Sequence, residues 1–300
     1  MMADTTMHPG IVKHFRPRLA WRRQLSRIWT WIFLGSTALA IVLLCMLLWS
    51  ITSPGAPWLS WRLITDMPSR IPERAGMNSA IWGSLWIVLG SAVASFVIGL
   101  GTAIYLEEYA EKDRWTGFMQ TNISNLAGVP SVIYGLLGLV VFVDALNFGR
   151  SLLAGALTMA LLTLPVVVIS AREALRAVPP SLREAAYGVG ATQWQTVRHH
   201  VLPAAFPGIM TGVILSMSRA IGETAPLLVV GGASQVLFRP ESPLDPFMVM
   251  PLQIYNWTGR PQEEFEQLAA AAIIVLMIVL LLMNSVAILL RQHVAQKARW

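Results

Sequence analysis

Long apolar runs separated by short polar segments dominate this sequence. Each run has roughly 20 residues or more, enough for an α-helix to cross a hydrocarbon core of ~30 Å. No stretch alternates with the two-residue period of a membrane β-barrel, so the runs predict helices. The six predicted spans are Trp29–Ile51, Ser79–Leu106, Ser124–Leu146, Ser151–Ala171, Ala205–Gly232 and Leu268–Leu290. The pattern therefore predicts an all-α membrane protein with six transmembrane helices.

Composition agrees with a membrane protein. Hydrophobic residues make up 55% of the 300 and charged residues 13%, whereas soluble domains carry about 25% charge. The net charge of +6 is explained by membrane topology and contact with anionic lipids, so we predict no nucleic-acid partner. The single cysteine, Cys45, lies inside the first span, which leaves no intrachain disulfide.

Lysine and arginine concentrate in alternate connecting segments. If the N-terminus is cytoplasmic, the inner segments hold 15 of the 22 basic residues and the outer segments hold six. The positive-inside rule then predicts a multi-pass inner-membrane (plasma-membrane) protein with both termini in the cytoplasm. We divide the chain into a basic segment over 1–28, a six-span permease domain over 29–291 and a tail over 292–300.

A polar segment over residues 172–203 connects the fourth and fifth predicted spans. Pro179 and Pro180 are expected to end the helix that leaves the fourth span. Ser181 and Glu184 have capping-box spacing, and so do Thr192 and Gln195. We therefore predict two short helices joined by a glycine turn at 188–190. A partner protein can bind this unit, and the unit can transmit a displacement to both flanking spans.

The fifth predicted span contains two ionisable residues. Arg219 lies about 14 residues from its start, or ~21 Å, near the membrane centre, and Glu223 shares its face four residues later. A central arginine costs ~2.5–3.5 kcal/mol on insertion scales, so it needs a partner or a polar cavity. Two roles are consistent with this pattern. Arg219 and Glu223 either form an ion pair that stabilises the helix bundle, or the planar guanidinium of Arg219 binds an anion. For the anion site we also predict Ser216 and Thr224 as pathway residues.

Three prolines predict bends within the membrane. Pro130, Pro165 and Pro226 lie near or within the third, fourth and fifth spans, and each removes a backbone donor. Pro226 leaves the carbonyl of Gly222 without its helical partner. We therefore predict a hinge at Gly222 and Pro226, beside the charged pair. Movement at this hinge is able to open and close the site around the pair.

The sequence contains no chemistry for harvesting energy or for catalysis. It has no G-x-x-x-x-G-K-[ST] phosphate loop, and no His, Cys or carboxylate cluster has metal-ligand spacing. We predict no cofactor, no metal and no enzymatic activity in this chain. If the protein moves a solute uphill on ATP, a separate subunit hydrolyses the nucleotide.

The polar segment resembles a known motif. Its residues Glu184, Ala185, Ala186, Gly190, Leu202 and Pro203 match the EAA loop of ABC-importer permeases, with His200 where that family has an apolar residue. The resemblance implies the type I (MetI-like) importer fold. It also implies that this loop forms a cytoplasmic coupling helix seated in a groove of the ATPase subunit.

A second resemblance concerns the cargo. The block from Ser218 to Leu227 is similar to the permeases of phosphate importers (the PstA family), as are Tyr105–Tyr109 and Gly128–Ser131. The resemblance implies phosphate import together with the homologous permease PstC, two copies of the ATPase PstB and the periplasmic phosphate-binding protein PstS. The alternatives are a permease for another oxyanion (phosphonate, sulfate or molybdate) or a gradient-driven secondary transporter, against which the lack of an inverted repeat speaks.

Overall fold

The computed structural model describes residues 19–111, 113–231 and 236–297, and regular structure in these ranges is helical. Within these ranges, five helices are long and apolar enough to cross a membrane, and a bent pair makes up a sixth candidate. Residues 1–18, which form most of the predicted basic segment, and 298–300 lie outside the described residues. The helices are α1 (Leu19–Gly55), α2 (Trp61–Thr65), α3 (Asn78–Ile104), α4 (Arg114–Leu126), α5 (Ser131–Gly138), α6 (Leu152–Arg176), α7 (Pro180–Gly188), α8 (Gln193–Thr196), α9 (Leu202–Gly222), α10 (Ala225–Gly231), α11 (Met250–Thr258) and α12 (Glu263–Lys297).

In the described part of the chain, three π-helical turns extend or join these helices. Tyr105–Tyr109 continues α3, Leu139–Ala145 continues α5, and Val197–Val201 joins α8 to α9. The chain divides into two compact units, Met1–Ser50 and Ile51–Trp300. The described part of the first unit is most of α1, which contains the first predicted span.

The centre of the second unit is the packing of α3, α6 and α9. Small residues let α3 approach α6 closely: a Cβ at Gly99 would lie 2.8 Å from Val167 Cγ1, and one at Gly90 would lie 3.0 Å from Ala156 Cβ. One apolar cluster, including Val167, Val201 and Ile209, fills the end of this bundle nearest the polar segment. The bundle therefore fixes α9, the helix that carries Arg219, against α6.

The third predicted span, Ser124–Leu146, is wrong as a continuous helix. The chain breaks between α4 and α5, and the axis of Ser131–Ala145 is turned 102° from that of α4. Pro130 lacks the N–H needed to continue the helix, and the Tyr134 hydroxyl donates instead to the carbonyl of Leu126 at 2.7 Å. The straight part after the break rises about 22 Å, which is short for a full span.

The described part of the connection between α10 and α12, residues 236–262, packs in the core of the second unit. Phe247 and Trp257 are almost completely buried. The backbone N–H of Met250 donates to Ser84 Oγ in α3 at 2.9 Å. A Cβ at Gly83 would overlap the carbonyl oxygen of Met248. The connection before α11 therefore packs directly on the first turns of α3.

Candidate functional site

The polar segment between α6 and α9 begins differently from the prediction. Helix α7 starts at Pro180, with Pro179 as N-cap and no side-chain capping bond, so the predicted capping box at Ser181 and Glu184 is wrong. The reason is that proline, with φ fixed near the helical value and no N–H to satisfy, is favoured in a first helical turn. Ser181 consequently lies inside the helix, one residue past its start.

The second predicted cap is confirmed. The Gln195 N–H donates to Thr192 Oγ1 at 3.3 Å, and the Thr192 N–H donates to Gln195 Oε1 at 2.9 Å. The predicted separate second helix is wrong, because helical structure runs without a break from Gln193 to Gly222. A displacement of α8 is therefore carried directly into α9.

The turn between α7 and α8 uses a glycine in the left-handed region. Gly190 has φ +85°, which a residue with a Cβ adopts only at a cost. Its N–H donates to the Tyr187 carbonyl, and the next N–H, of Ala191, donates to the Ala186 carbonyl. These bonds close the C-terminus of α7 and reverse the chain towards α8.

The six residues of the motif divide between surface and interior. Glu184, Ala185, Gly190 and Pro203 are exposed, Leu202 is half-buried, and Ala186 is 5% exposed. Leu202 packs on the apolar cluster shared by α6 and α9. The exposed members are free to meet a partner, while Ala186 and Leu202 hold the segment on the bundle.

Two glutamates that the sequence analysis did not assign to this site contact the polar segment. Glu108 pairs with Arg183 of α7, with 2.6 Å between Glu108 Oε1 and Arg183 Nη2, and Glu107 pairs with Arg176 at the end of α6. The hydrogen bonds that Arg183 donates to the Glu108 carboxylate raise the pKa of Arg183 further above its already high usual value. Sequence spacing offers no signal for these contacts, since the partners are 69 and 75 positions apart.

The charged pair in the fifth span is present. Arg219 Nε lies 3.3 Å from Glu223 Oε1, and the Arg219 side chain remains 65% exposed while that of Glu223 is 19% exposed. In contact with water, an ion pair this exposed contributes little stability by itself, commonly below about 1 kcal/mol. Most of the Arg219 side-chain surface is thus accessible on this chain.

The fifth predicted span, Ala205–Gly232, is wrong as one helix. Helix α9 ends at Gly222, Glu223 has extended backbone (φ −76°, ψ 119°), and α10 starts at Ala225. Glu223 and Thr224 therefore lie in a helix break, and Pro226 lies in the first turn of α10 rather than in a kinked span. By contrast, α6 continues through Pro165.

A pocket beside α9 brings two of the predicted pathway residues together. Ser216 and Arg219 both line it, opposite Thr163 of α6 and Tyr134 of α5. Ser216 is 3% exposed, and its Oγ is among the buried polar atoms, in the described part of the chain, that have no hydrogen-bond partner. Ser216 and Arg219 therefore line one small cavity of about 20 Å³, which has room for about one water molecule.

The two helix breaks lie at the same place in the fold. Residues of the α4–α5 break, Ala127 and Val129, line the pocket with Arg219. Helices α5 and α10, which follow the two breaks, pack so closely that a Cβ at Gly135 would lie 2.7 Å from Pro226 Cα. Broken helices that meet around a polar cavity are typical of solute sites in transporters.

The opposite face of α9 packs on α12 through polar contacts. Ser218 Oγ donates to Asn284 Oδ1, and Arg291 Nη1 donates to Thr211 Oγ1 at 2.9 Å. These bonds hold the face of α9 that points away from the pocket. They therefore fix the rotation of α9 about its own axis. The side chains at 216 and 219 consequently project towards α6 and α5.

The fold and the site define a membrane subunit of a transport system. The sequence pattern of the family described as binding-protein-dependent transport system inner membrane component matches residues 95–300, and the chain belongs to this family. It is therefore a transport subunit rather than an enzyme.

Individual relatives are similar over most of the chain. The chain is 37% identical over 226 residues to the phosphate transport system permease protein PstA 1 of Mycobacterium tuberculosis, covering 73% of each chain. It is 32% identical over 276 residues to the phosphate transport system permease protein PstA of Haemophilus influenzae, covering 92% of this chain and 97% of the relative. Among solved structures, a bacterial alginate ABC transporter in complex with a periplasmic protein shares the fold, with a TM-score of 0.65 and 16% identity over 88% of this chain and 94% of that chain. These comparisons confirm the predicted ABC-importer permease fold.

Proposed function

We propose that this chain is the transmembrane permease subunit of an ATP-driven importer of inorganic phosphate. The observation that carries the proposal is that Arg219, whose side chain is largely exposed, and Ser216, whose buried hydroxyl has no hydrogen-bond partner, line the same cavity between α9, α6 and the break before α5. A guanidinium and a hydroxyl together donate several hydrogen bonds in the geometry that a tetrahedral oxyanion accepts. The similarity to phosphate permeases supports phosphate as the anion.

Each pathway residue has a distinct proposed role. Arg219 donates to phosphate oxygens, and Ser216 supplies a further donor from the buried side of the pocket. Glu223 holds Arg219 at 3.3 Å when no anion is bound and releases it when phosphate competes for the fork. Thr224, in the break, contacts the anion as it leaves the pocket. Gly222 and Pro226 form the hinge between α9 and α10.

The polar segment over residues 172–203 is proposed to bind the ATPase subunits and to move with them. ATP binding closes two copies of the ATPase PstB on the exposed residues of α7, and the displacement travels through the continuous helix Gln193–Gly222 to the pocket. The homologous permease PstC forms the other half of the pathway, and the periplasmic protein PstS delivers phosphate. In this arrangement both termini and the polar segment are cytoplasmic, as the distribution of lysine and arginine predicts.

ATP-dependent uptake into vesicles tests this proposal. We expect a complex of this chain, its partner permease and the ATPase to accumulate phosphate in proteoliposomes only when ATP and the phosphate-loaded binding protein are both present. An ion gradient without ATP should give no accumulation. Uptake driven by the gradient alone would contradict the proposal in favour of a secondary transporter.

A further inference from the structure

The cytoplasmic end of α3 contacts the coupling helix α7 through a buried ion pair. Glu108, in the π-helical turn after α3, has a side chain only 5% exposed. Its carboxylate accepts from Arg183 Nη2 at 2.6 Å and from Arg183 Nε at 3.2 Å. Such bidentate geometry fixes both the distance and the orientation of the two groups.

Arg183 also bonds to the end of α6. Its Nη1 donates to the Val178 carbonyl at 2.9 Å, and its Nη2 donates to the Leu175 carbonyl at 3.0 Å. Leu175 lies in the last turn of α6, and Val178 lies two residues beyond the end of that helix. One guanidinium thus joins three elements: the coupling helix, the end of α6 and the end of α3.

Neighbouring contacts strengthen the same junction. Glu107 accepts from Arg176 Nε at 3.1 Å and Nη2 at 3.2 Å, and Arg172 Nη2 lies 3.6 Å from the same carboxylate. On the other side, the side-chain amide of Gln193 at the start of α8 donates to the Glu108 carbonyl. The turn after α3 is therefore bonded to α6, α7 and α8 within five residues of chain.

We propose that Glu108 is a positioning residue that makes α3 move with the coupling helix when the ATPase subunits close. Along the chain, the segment with the EAA motif connects directly only to α6 and α9. The Glu108–Arg183 pair is a non-covalent contact that also links this segment to α3. Because the pair is largely buried and bonded on both partners, it holds the two elements at one separation throughout the cycle. Helix α3 packs closely on α6, so a displacement of α3 is transmitted to α6, whose residues Leu162 and Thr163 line the pocket beside α9.

A double-mutant cycle tests the proposal, which rests on the proposed import function. Glu108→Ala, Arg183→Ala and the double variant are purified with the ATPase and the partner permease. ATP hydrolysis is measured with and without the phosphate-loaded binding protein. We expect the binding-protein-stimulated rate to fall roughly three- to thirtyfold in Glu108→Ala, with the amount of ATPase in the complex and its unstimulated rate unchanged. The double variant should be no worse than Arg183→Ala, because the two residues act as one unit.

The matched control is Glu111→Ala, which removes an exposed carboxylate three residues further along the same segment and should leave the stimulated rate unchanged. A normal stimulated rate in Glu108→Ala would overturn the proposal. Loss of the ATPase from the purified variant complex would overturn it too, by assigning Glu108 to assembly. If the unmodified complex shows no stimulation by the phosphate-loaded protein, the import function itself fails, which separates the two results.

Discussion

Replacing Arg219 by alanine is expected to lower phosphate uptake by roughly two orders of magnitude, the cost of losing two charge-assisted hydrogen bonds at about 1.5 kcal/mol each. The complex should still assemble, since an arginine that is 65% exposed contributes little to folding through its pair with Glu223. Uptake of radiolabelled phosphate into proteoliposomes measures the effect, and size-exclusion chromatography measures assembly.

Two further variants separate the roles that stay open for this arginine. Arg219→Lys keeps the charge but removes the planar fork, so we expect partial uptake, between that of Arg219→Ala and that of the unmodified protein. Glu223→Gln should retain assembly, because the carboxylate serves only to hold the arginine. If Arg219→Ala assembles and transports normally, the pocket is not the anion path. If Arg219→Ala fails to assemble, the ion pair fixes the bundle instead.

Gly83→Ala is expected to destabilise the folded protein more than a typical overpacking substitution, which costs about 1–3 kcal/mol. The added methyl would overlap the backbone carbonyl oxygen of Met248, and a backbone atom, unlike a side chain, has no rotamer to relieve the overlap. The connection before α11 would have to move off α3, exposing part of the core around Phe247. Thermal unfolding of the purified protein in detergent measures the loss as a lower midpoint.

Gly101→Ala provides the control within the same helix. No heavy atom outside its own turn lies within 4 Å of a Cβ built at Gly101, so the substitution adds no overlap. Alanine also favours the helix over glycine by roughly 0.5–1 kcal/mol. We therefore expect an unchanged or slightly higher midpoint. Equal midpoints for Gly83→Ala and Gly101→Ala would show that the connection does not rest on α3 as described.

Within the described residues, five of the six predicted spans coincide with helices long and apolar enough to cross a membrane, and the third coincides with a bent pair. Their approximate positions follow from the sequence because the bilayer imposes one length on every crossing helix. The breaks in the third and fifth spans do not follow from the sequence alone. Pro130 and Pro226 each coincide with a break, yet α6 continues through Pro165. At Pro130 the hydroxyl of Tyr134, from the helix after the break, satisfies the freed carbonyl of Leu126, and a proline alone does not reveal whether such a contact forms.

The candidate site was predictable where its residues are close in sequence. Arg219 and Glu223 are four positions apart, so the helical period places them on one face, and their contact is confirmed. That Ser216 shares a pocket with Arg219 depends on the rotation of α9, which Asn284 and Arg291 of α12 hold from the other side. The Glu108–Arg183 pair spans 75 positions, and only the three-dimensional packing of α3 beside α6 brings it together.

The anion dependence of ATP hydrolysis tests the central claim most directly. The complex is purified with its ATPase and its binding protein, and hydrolysis is measured with phosphate, sulfate, molybdate or a phosphonate as the only added anion. We predict that phosphate stimulates hydrolysis and that the other anions at the same concentration do not. Stimulation by sulfate without stimulation by phosphate would contradict the account and assign the pocket around Arg219 to a different oxyanion.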